Sequence, residues 1–288
     1  MEVQQVKHLH LELEKKNPNI AHDYMVFEKL DGWYCYIDYS VELGWGRIMS
    51  RAGRPIPSME YLHPKLSELL GEPGVTLRLI AEAIIPDTPF HALNGIFNRS
   101  VGDYYALDAV FAVHDIVFPS KPTEIAIDRF AHIYYILPSN STKFFRAELL
   151  QVSDSPSLWK TCFDKVVADG GEGIILKQVD GIYCPGKRNS TLMKIKEEVD
   201  ADLLCISLYD TVGEKGGENL NMILQDSKGN ETVVRVGKLE EAELYRASPN
   251  KAIGHVFKIK AMKRLSGGKF REPRLDYRRD DKTGEEID

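Results

Sequence analysis

Hydrophobic and polar positions change period several times along the chain, and the changes lay out its elements. From Met25 the text is dense in β-formers, and MVFEKL and then WYCYIDYS read as strands. The runs VTLRLIAEAII (75–85) and YALDAVFAVHDIVF (105–118) are longer and rich in Val, Ile and aromatics, which predicts buried strands. Two stretches switch to helical spacing. EIAIDRFAHIYYIL follows Pro122-Thr123. SLWKTCFDKVVADGG opens behind Ser155-Pro156, carries Leu158, Cys162 and Val166 on a stripe expected to be buried, and stops at Gly170-Gly171. GIILKQ (173–178) follows as a strand, and TLMKIK (191–196) predicts another. Residues 1–23 read as a short helix and a turn, broken at Asn17-Pro18-Asn19.

The pattern changes after Glu197-Glu198. DLLCISLYD, NMILQD, ETVVRV and GHVFKIKAM are short strand candidates between Gly-rich turns, with one helical stretch, LEEAELYRA. Short strands with a single helix suit a small five-stranded barrel of the OB type. The longest turn there is VGEKGGEN. A boundary is expected near Val199–Ala201.

Composition narrows the classes. With 288 residues, two domains are a fair prior, and 43% hydrophobic with 28% charged residues is the balance of a folded soluble protein. No apolar run reaches the length of a membrane span, and MEVQQVKHLHLELEKK lacks the apolar stretch of a secretory signal. Cys35, Cys162, Cys184 and Cys205 are scattered with no CxxC pair, so neither a disulfide framework nor a zinc finger is indicated, and a cytoplasmic setting is expected. The net charge of −6 taken whole argues against a nucleic-acid binder. Its distribution argues otherwise. Lys251–Lys282 carries eleven Lys/Arg against four Asp/Glu, a local +7 that leaves −13 on the rest. A basic segment on an acidic body can track phosphates, although a solvated basic surface would look the same.

Three short motifs bear chemistry. Lys29-Leu30-Asp31-Gly32 is a strand end with a DG turn, or a nucleophilic lysine whose amine is freed by partial burial and neighbouring cations. Glu172-Gly173-Ile174-Ile175-Leu176-Lys177 is a strand with polar ends, or a carboxylate and an ammonium on a site. Lys194-Ile195-Lys196 puts two lysines on one strand face, which is an exposed face unless an anion such as a polyphosphate lies between them. The His8/His10 pair has no third ligand at a telling distance, and Trp33, Tyr34 and Tyr36 read as core and strand face.

Taken in order, KxDG, a Glu at a strand end (Glu82), EGIILK and KIK resemble the covalent nucleotidyltransferase superfamily of ATP-dependent DNA ligases, RNA ligases and mRNA capping enzymes. Tyr183, Gly186, Lys187 and Arg188 resemble the stretch before the family's KIK. Arg271-Glu272-Pro273-Arg274 and then Arg279-Asp280-Asp281-Lys282 look like the last ligase motif. The overall size and Ser50-Arg51-x-Gly53 are most similar to a small viral or bacteriophage-type ATP-dependent DNA ligase. Only 28 residues precede Lys29, which favours ATP over NAD. The resemblance implies an α+β fold. An adenylation domain of antiparallel sheets with flanking helices is expected over 1–198, followed by an OB barrel over 199–288.

It also implies roles. Lys29 would take AMP from ATP, AMP would pass to the 5′-phosphate of a nick, and the 3′-hydroxyl would seal the strand. Glu172 would hold Mg²⁺, with Mn²⁺ able to substitute, and Glu82 would contact the ribose or the metal. Lys194 and Lys196 would grip the α-phosphate, and Arg51 the nucleotide or the nick's 5′-phosphate. Lys177 belongs to the cofactor-binding set, and Asp31 would assist sealing. Arg279, Asp281 and Lys282 would orient pyrophosphate. Nicked duplex DNA is the expected partner of a monomer, with no membrane contact. Three positions depart from the pattern. Tyr34 stands where many relatives have arginine. His114 stands where an aromatic stacks on adenine. Phe27 stands where several have Glu. The same motifs would serve an RNA ligase or a capping guanylyltransferase, and a catalytically silent OB-containing DNA-binding protein is the alternative of another class.

Overall fold

A computed structural model describes residues 2–71, 73–99, 104–213, 216–265 and 267–288, without the side chains of 90, 91, 104 and 105. The chain divides into two compact units, Met1–Lys196 and Glu197–Asp288. Sequence reasoning puts the division two residues later.

In the first unit ten strands build two five-stranded sheets. They are β1 (Gln5–His8), β2 (Tyr24–Glu28), β3 (Trp33–Ser40), β4 (Trp45–Ser50), β5 (Leu77–Ile84), β6 (Val110–Val117), β7 (Phe144–Arg146), β8 (Leu149–Ser153), β9 (Gly173–Gln178) and β10 (Arg188–Lys196). One sheet runs β1-β10-β9-β2-β8 and the other β4-β3-β5-β6-β7. Pairing is antiparallel except for β1 with β10 and β6 with β7. Five helices accompany them: α1 (Leu9–Leu13), α2 (Leu66–Leu69), α3 (Phe90–Phe97), α4 (Ala126–Ile136) and α5 (Pro156–Ala168). The chain crosses from the first sheet to the second between β2 and β3, and that crossing is Lys29–Gly32.

The period of 2 along β2 sorts its side chains to two faces. Tyr24 and Val26 pack with Ile174, Leu176 and Met193 against Trp159 and Val166 of α5. Met25 and Phe27 join the main core with Cys35, Ile37, Leu79, Phe111 and Phe130. Cross-strand partners share a face. The registers Met25↔Lys177↔Leu192, Phe27↔Ile175↔Lys194 and Gly173↔Lys196 therefore put Lys177, Lys194 and Lys196 on the Met25/Phe27 face, away from α5.

Three expectations are corrected. Leu158, expected on the buried stripe of α5, is exposed, and Trp159 is buried with Val166 instead. The run 105–118 is not one strand: Tyr104–Asp108 forms a 3₁₀ turn, held by the Tyr61 hydroxyl donating to the Ala106 carbonyl at 2.8 Å, and the strand begins at Val110. Residues 1–23 are not simply helix and turn. Gln5–His8 adds a parallel strand to β10, with Lys7 opposite Met193 and His8 opposite Lys194, before the single turn of α1. The buried Glu12 carboxylate fixes this arrangement by accepting from Lys7, from Lys15 and from the Asn19 N–H. Burial alone would push Glu12 up, but those hydrogen bonds hold it down at about 2. That pairing partner lies far along the chain, where no local period can show it. Strands β4, β7 and β8, helix α3 and a 3₁₀ helix at Pro57–Lys65 also went unread.

The second unit has β11 (Val199–Val212), β12 (Glu218–Gln225), β13 (Glu231–Arg235), α6 (Leu239–Ala247), β14 (Val256–Ala261), the short pair β15 (Lys263–Arg264) and β16 (Phe270–Arg271), and β17 (Arg274–Arg278). Its sheet runs β13-β12-β11-β14-β17, all antiparallel, with the helix between the third and fourth long strands. This is an OB-type arrangement. Leu203, Met222, Leu224, Phe257 and Ile259 fill it. Glu214 and Lys215 of the VGEKGGEN turn lie outside the described residues. Among the described residues no helix is long and apolar enough to cross a membrane.

Candidate active site

Lys29 stands one residue beyond β2. Its N–H donates to the Gly173 carbonyl at 2.8 Å, which extends the β2–β9 ladder by one rung. The same rung brings it to Glu172, and the Lys29 ammonium donates to Glu172 Oε2 at 2.5 Å. The side chains are 21% and 11% exposed, so the pair is sheltered yet reachable. Sequence reasoning expected cations beside Lys29; the partner the structure gives it is a carboxylate.

Two glycines make this convergence possible. A Cβ on Gly173 would lie 2.2 Å from the Ile195 carbonyl oxygen and 2.9 Å from Lys196 Cα, and its φ of 146° disfavours any other residue. Only glycine lets the start of β9 meet the end of β10, which sets Lys196 beside the Lys29–Glu172 pair. A Cβ on Gly32 would lie 2.8 Å from both Glu82 Cβ and Ile84 Cγ2. Glycine there lets the KLDG crossing lie flat on β5, next to Glu82.

Glu82 pairs in register with Tyr34. Burial pushes its carboxyl up to about 8; Lys29 and Arg51 pull it down, and Glu172 and Asp31 push it further up. Lys29, Asp31, Arg51 and Glu172 therefore all lie within electrostatic reach of Glu82. Arg51 sits on a tight turn closed by the Gly53 N–H donating to the Ser50 carbonyl at 2.9 Å, and its guanidinium lies 4.5 Å from the Tyr34 ring centroid. His114 also lies beside Tyr34, ring centroids 6.3 Å apart and tilted by 53°. Burial, and then the Lys177 charge, push the His114 imidazole down to about 3, so it is neutral at working pH and keeps an uncharged π face.

Lys177, a sequence-predicted residue, has partners of its own in the core. Its side chain is 5% exposed, it pairs with Asp115 at 3.0 Å, and it donates to the His114 carbonyl at 2.5 Å. Asp115 also binds Arg129 at 2.9 Å, and the two cations hold its carboxyl well below the ordinary range in spite of burial. Lys177 thus supports the strand that carries His114, and its distance from Lys29 follows from the register, which puts it opposite Met25 deep in the core. Sequence reasoning missed Asp115 and Arg129, although the His114-Asp115 dipeptide inside an apolar strand was a signal.

Phe27 is buried against Phe130, with ring centroids 5.1 Å apart, so it belongs to the core. Trp33 packs on Phe97, and its indole N–H donates to Asn94 at 2.9 Å. His8 and His10 bring their rings to 5.1 Å, and among the described residues no group of three metal-ligating side chains forms. In the second unit Arg279 and Lys282 both bind Asp202 Oδ2, at 2.7 and 2.8 Å, and Arg279 forks onto Asp281 at 2.7 and 2.8 Å.

Mg²⁺ takes oxygen ligands and is commonly held by one or two carboxylates together with substrate phosphates and water. Glu172, a carboxylate beside Lys29, offers one such ligand without a preformed cage, so the site fits a magnesium that arrives with its phosphates.

Comparison with known proteins places this geometry. The chain resembles a probable DNA ligase of Koribacter versatilis, 29% identical over 164 residues, which covers 47% of this chain and 28% of that protein. Among solved structures it resembles a Lig E DNA ligase described as binding DNA with a minimal scaffold, at 20% identity, TM-score 0.74, 97% of this chain and 99% of that one. It also resembles the ATP complex of the bacteriophage T7 ATP-dependent DNA ligase, at 16% identity, TM-score 0.55, with 97% and 98% covered. At these identities the two structures attest the fold. The description "ATP dependent DNA ligase domain" matches residues 1–196, the whole unit in which Lys29, Glu82, Glu172, Lys194 and Lys196 lie, and the chain belongs to that family.

Proposed function

We propose that this protein is an ATP-dependent DNA ligase that joins 3′-hydroxyl and 5′-phosphate ends at nicks in duplex DNA. The observation that carries the reading is the Lys29–Glu172 pair at 2.5 Å, held where the two sheets of the first unit meet, with Lys194 and Lys196 on the inward face of the neighbouring strand. A phosphoryl transfer needs alignment and charge neutralisation more than acid–base chemistry, and this site supplies both.

In the first step the Lys29 amine, its ammonium proton lost to water, attacks the α-phosphorus of ATP. An N–P bond forms, the bond from that phosphorus to the bridging oxygen breaks, and pyrophosphate leaves. The 5′-phosphate of the nick then attacks the same phosphorus and releases the Lys29 amine. Finally the 3′-hydroxyl attacks the 5′-phosphorus, and AMP departs. Lys194 and Lys196 neutralise the α-phosphate. Glu172 is the carboxylate suited to hold Mg²⁺, which supplies further neutralisation of phosphate charge when bound. Glu82, a carboxyl raised to about 8, suits a ribose hydroxyl, to which a neutral acid can donate and from which it can accept. The neutral His114 ring suits stacking on the adenine. Asp31 assists sealing, and Arg279 with Lys282 orients pyrophosphate. The excess of eleven Lys/Arg over four Asp/Glu across Lys251–Lys282 suits duplex phosphates. The protein acts as a monomer in the cytoplasm.

The test is sealing of a nicked duplex by the purified protein with ATP and Mg²⁺. Sealing by the wild type and none by Lys29→Ala is expected. Sealing that is undiminished in Lys29→Ala overturns the reading, and so does failure on nicked DNA with success on nicked RNA.

A further inference from the structure

Tyr34 stands five residues after Lys29, where many relatives have arginine, and its ring carries the Arg51 guanidinium at 4.5 Å. We propose that Tyr34 is a positioning residue that holds the Arg51 guanidinium over the site, so that Arg51 binds a phosphate oxygen there. The inference rests on the ligase reading above.

Three observations carry it. First, Cys35 pairs with Ser50 across β3 and β4, so the residues that continue past each partner, Tyr34 and Arg51, are neighbours by register. Second, the turn that carries Arg51 is fixed in its backbone. The Gly53 N–H closes on the Ser50 carbonyl at 2.9 Å, the Ser50 N–H donates to the Arg54 carbonyl at 2.8 Å, the Ser50 hydroxyl accepts from the Arg54 N–H at 3.2 Å, and Gly53 takes a φ of 75°. Third, the guanidinium lies on the Tyr34 ring at 4.5 Å, a cation–π contact that leaves its N–H fork unspent. Tyr34 pairs in register with Glu82, so the guanidinium that rests on its ring lies on the strand beside Glu82. The Tyr34 ring is itself held: it packs against Ile80, Val117 and Tyr183, and burial pushes its phenol well above the ordinary range. A planar fork resting on a fixed aromatic face is the arrangement that delivers an arginine to a phosphate with little left to order.

The phosphate has two sources in this chemistry, the nucleotide and the nick, and separate assays distinguish them. Formation of the enzyme–AMP adduct from ATP reports the first. Sealing of a nick that already carries AMP on its 5′-phosphate reports the second. The variants are Tyr34→Phe, Tyr34→Leu, Arg51→Ala and Tyr34→Leu/Arg51→Ala. Tyr34→Phe keeps the ring and is expected within about twofold of wild type. Tyr34→Leu is expected to slow the affected step by about three- to thirtyfold, the range that a cation–π contact of this kind represents. Added to Arg51→Ala it should slow that step by less than about twofold, because its effect passes through the arginine. Loss in adduct formation alone assigns Arg51 to the nucleotide, and loss in sealing alone assigns it to the nick. Additive effects in the double variant, or an equal loss in Phe and Leu, overturn the proposal and leave Tyr34 a packing residue. If wild type forms no adduct and seals no nick, the ligase reading itself has failed, which these variants do not confuse with failure of the positioning role.

Discussion

The Lys29 ammonium rests on the Glu172 carboxylate at 2.5 Å although 143 residues separate them. Two strands and a glycine bring them together, so the pair is built into the fold before any substrate arrives. Removing the charge at Glu172 should therefore damage chemistry far more than folding. Glu172→Gln is expected to slow enzyme–AMP formation by about 100-fold, while the stability from chemical denaturation changes by about 1 kcal/mol. A large loss of stability with little loss of rate would make the pair structural.

Gly173→Ala should behave in the opposite way. The added methyl would meet the Ile195 carbonyl oxygen at 2.2 Å, and backbone cannot move aside as a flexible side chain can. The expected cost is at least about 2 kcal/mol of stability, read as a lowered thermal midpoint.

Both glycines are visible in the sequence as parts of motifs, but the reason for them is not. The strands GIILKQ and TLMKIK and the helix behind Ser155-Pro156 were legible because each has a clear local period. The site order was legible because Lys29, Glu82, Glu172 and Lys194/Lys196 stand in a recognisable succession. What local pattern could not show is pairing across the chain. The N-terminal strand beside β10, the role of Asp115 and the burial of Lys177 all depend on partners tens of residues away. Lys177 looks like a site lysine because it ends the EGIILK motif. Its ion pair with Asp115 and its bond to the His114 carbonyl make it a support of that strand instead.

That reassignment is testable. Lys177→Met leaves Asp115 with Arg129 alone in a buried setting. It should cost about 2–4 kcal/mol of stability, while enzyme–AMP formation by the folded protein stays within about tenfold of wild type. A rate collapse with unchanged stability would return Lys177 to the nucleotide.

The neutral His114 makes a pH prediction. Its imidazole, ordinarily at 6.5, is pushed down to about 3, so the unfolded chain binds a proton there that the folded chain refuses. Stability is thus lost as pH falls from the unfolded value toward about 3. His114→Phe removes this penalty and keeps a stacking face. Its stability relative to wild type should improve by about 1–2 kcal/mol between pH 8 and pH 5. No pH dependence in that difference would mean the histidine takes up its proton in the fold as readily as in the unfolded chain. Glu82 changes in the opposite sense, its raised carboxyl losing stability as pH rises from 4.5 toward about 8, and it cancels in the comparison.

The basic run Lys251–Lys282 predicts salt-sensitive binding. Affinity for nicked duplex should fall at least about tenfold between about 50 and about 200 mM salt. A flat response would leave the run a solvated surface.

The central claim is that Lys29 carries AMP. The direct measurement is to incubate nucleotide-free protein with Mg²⁺ and α-labelled ATP, or α-labelled GTP in parallel, and to look for label retained after denaturation. The account predicts label from ATP, none from GTP, mapping to Lys29 and lost in Lys29→Ala. A folded wild-type protein that retains no label, or a Lys29→Ala variant that retains it fully, would contradict the account.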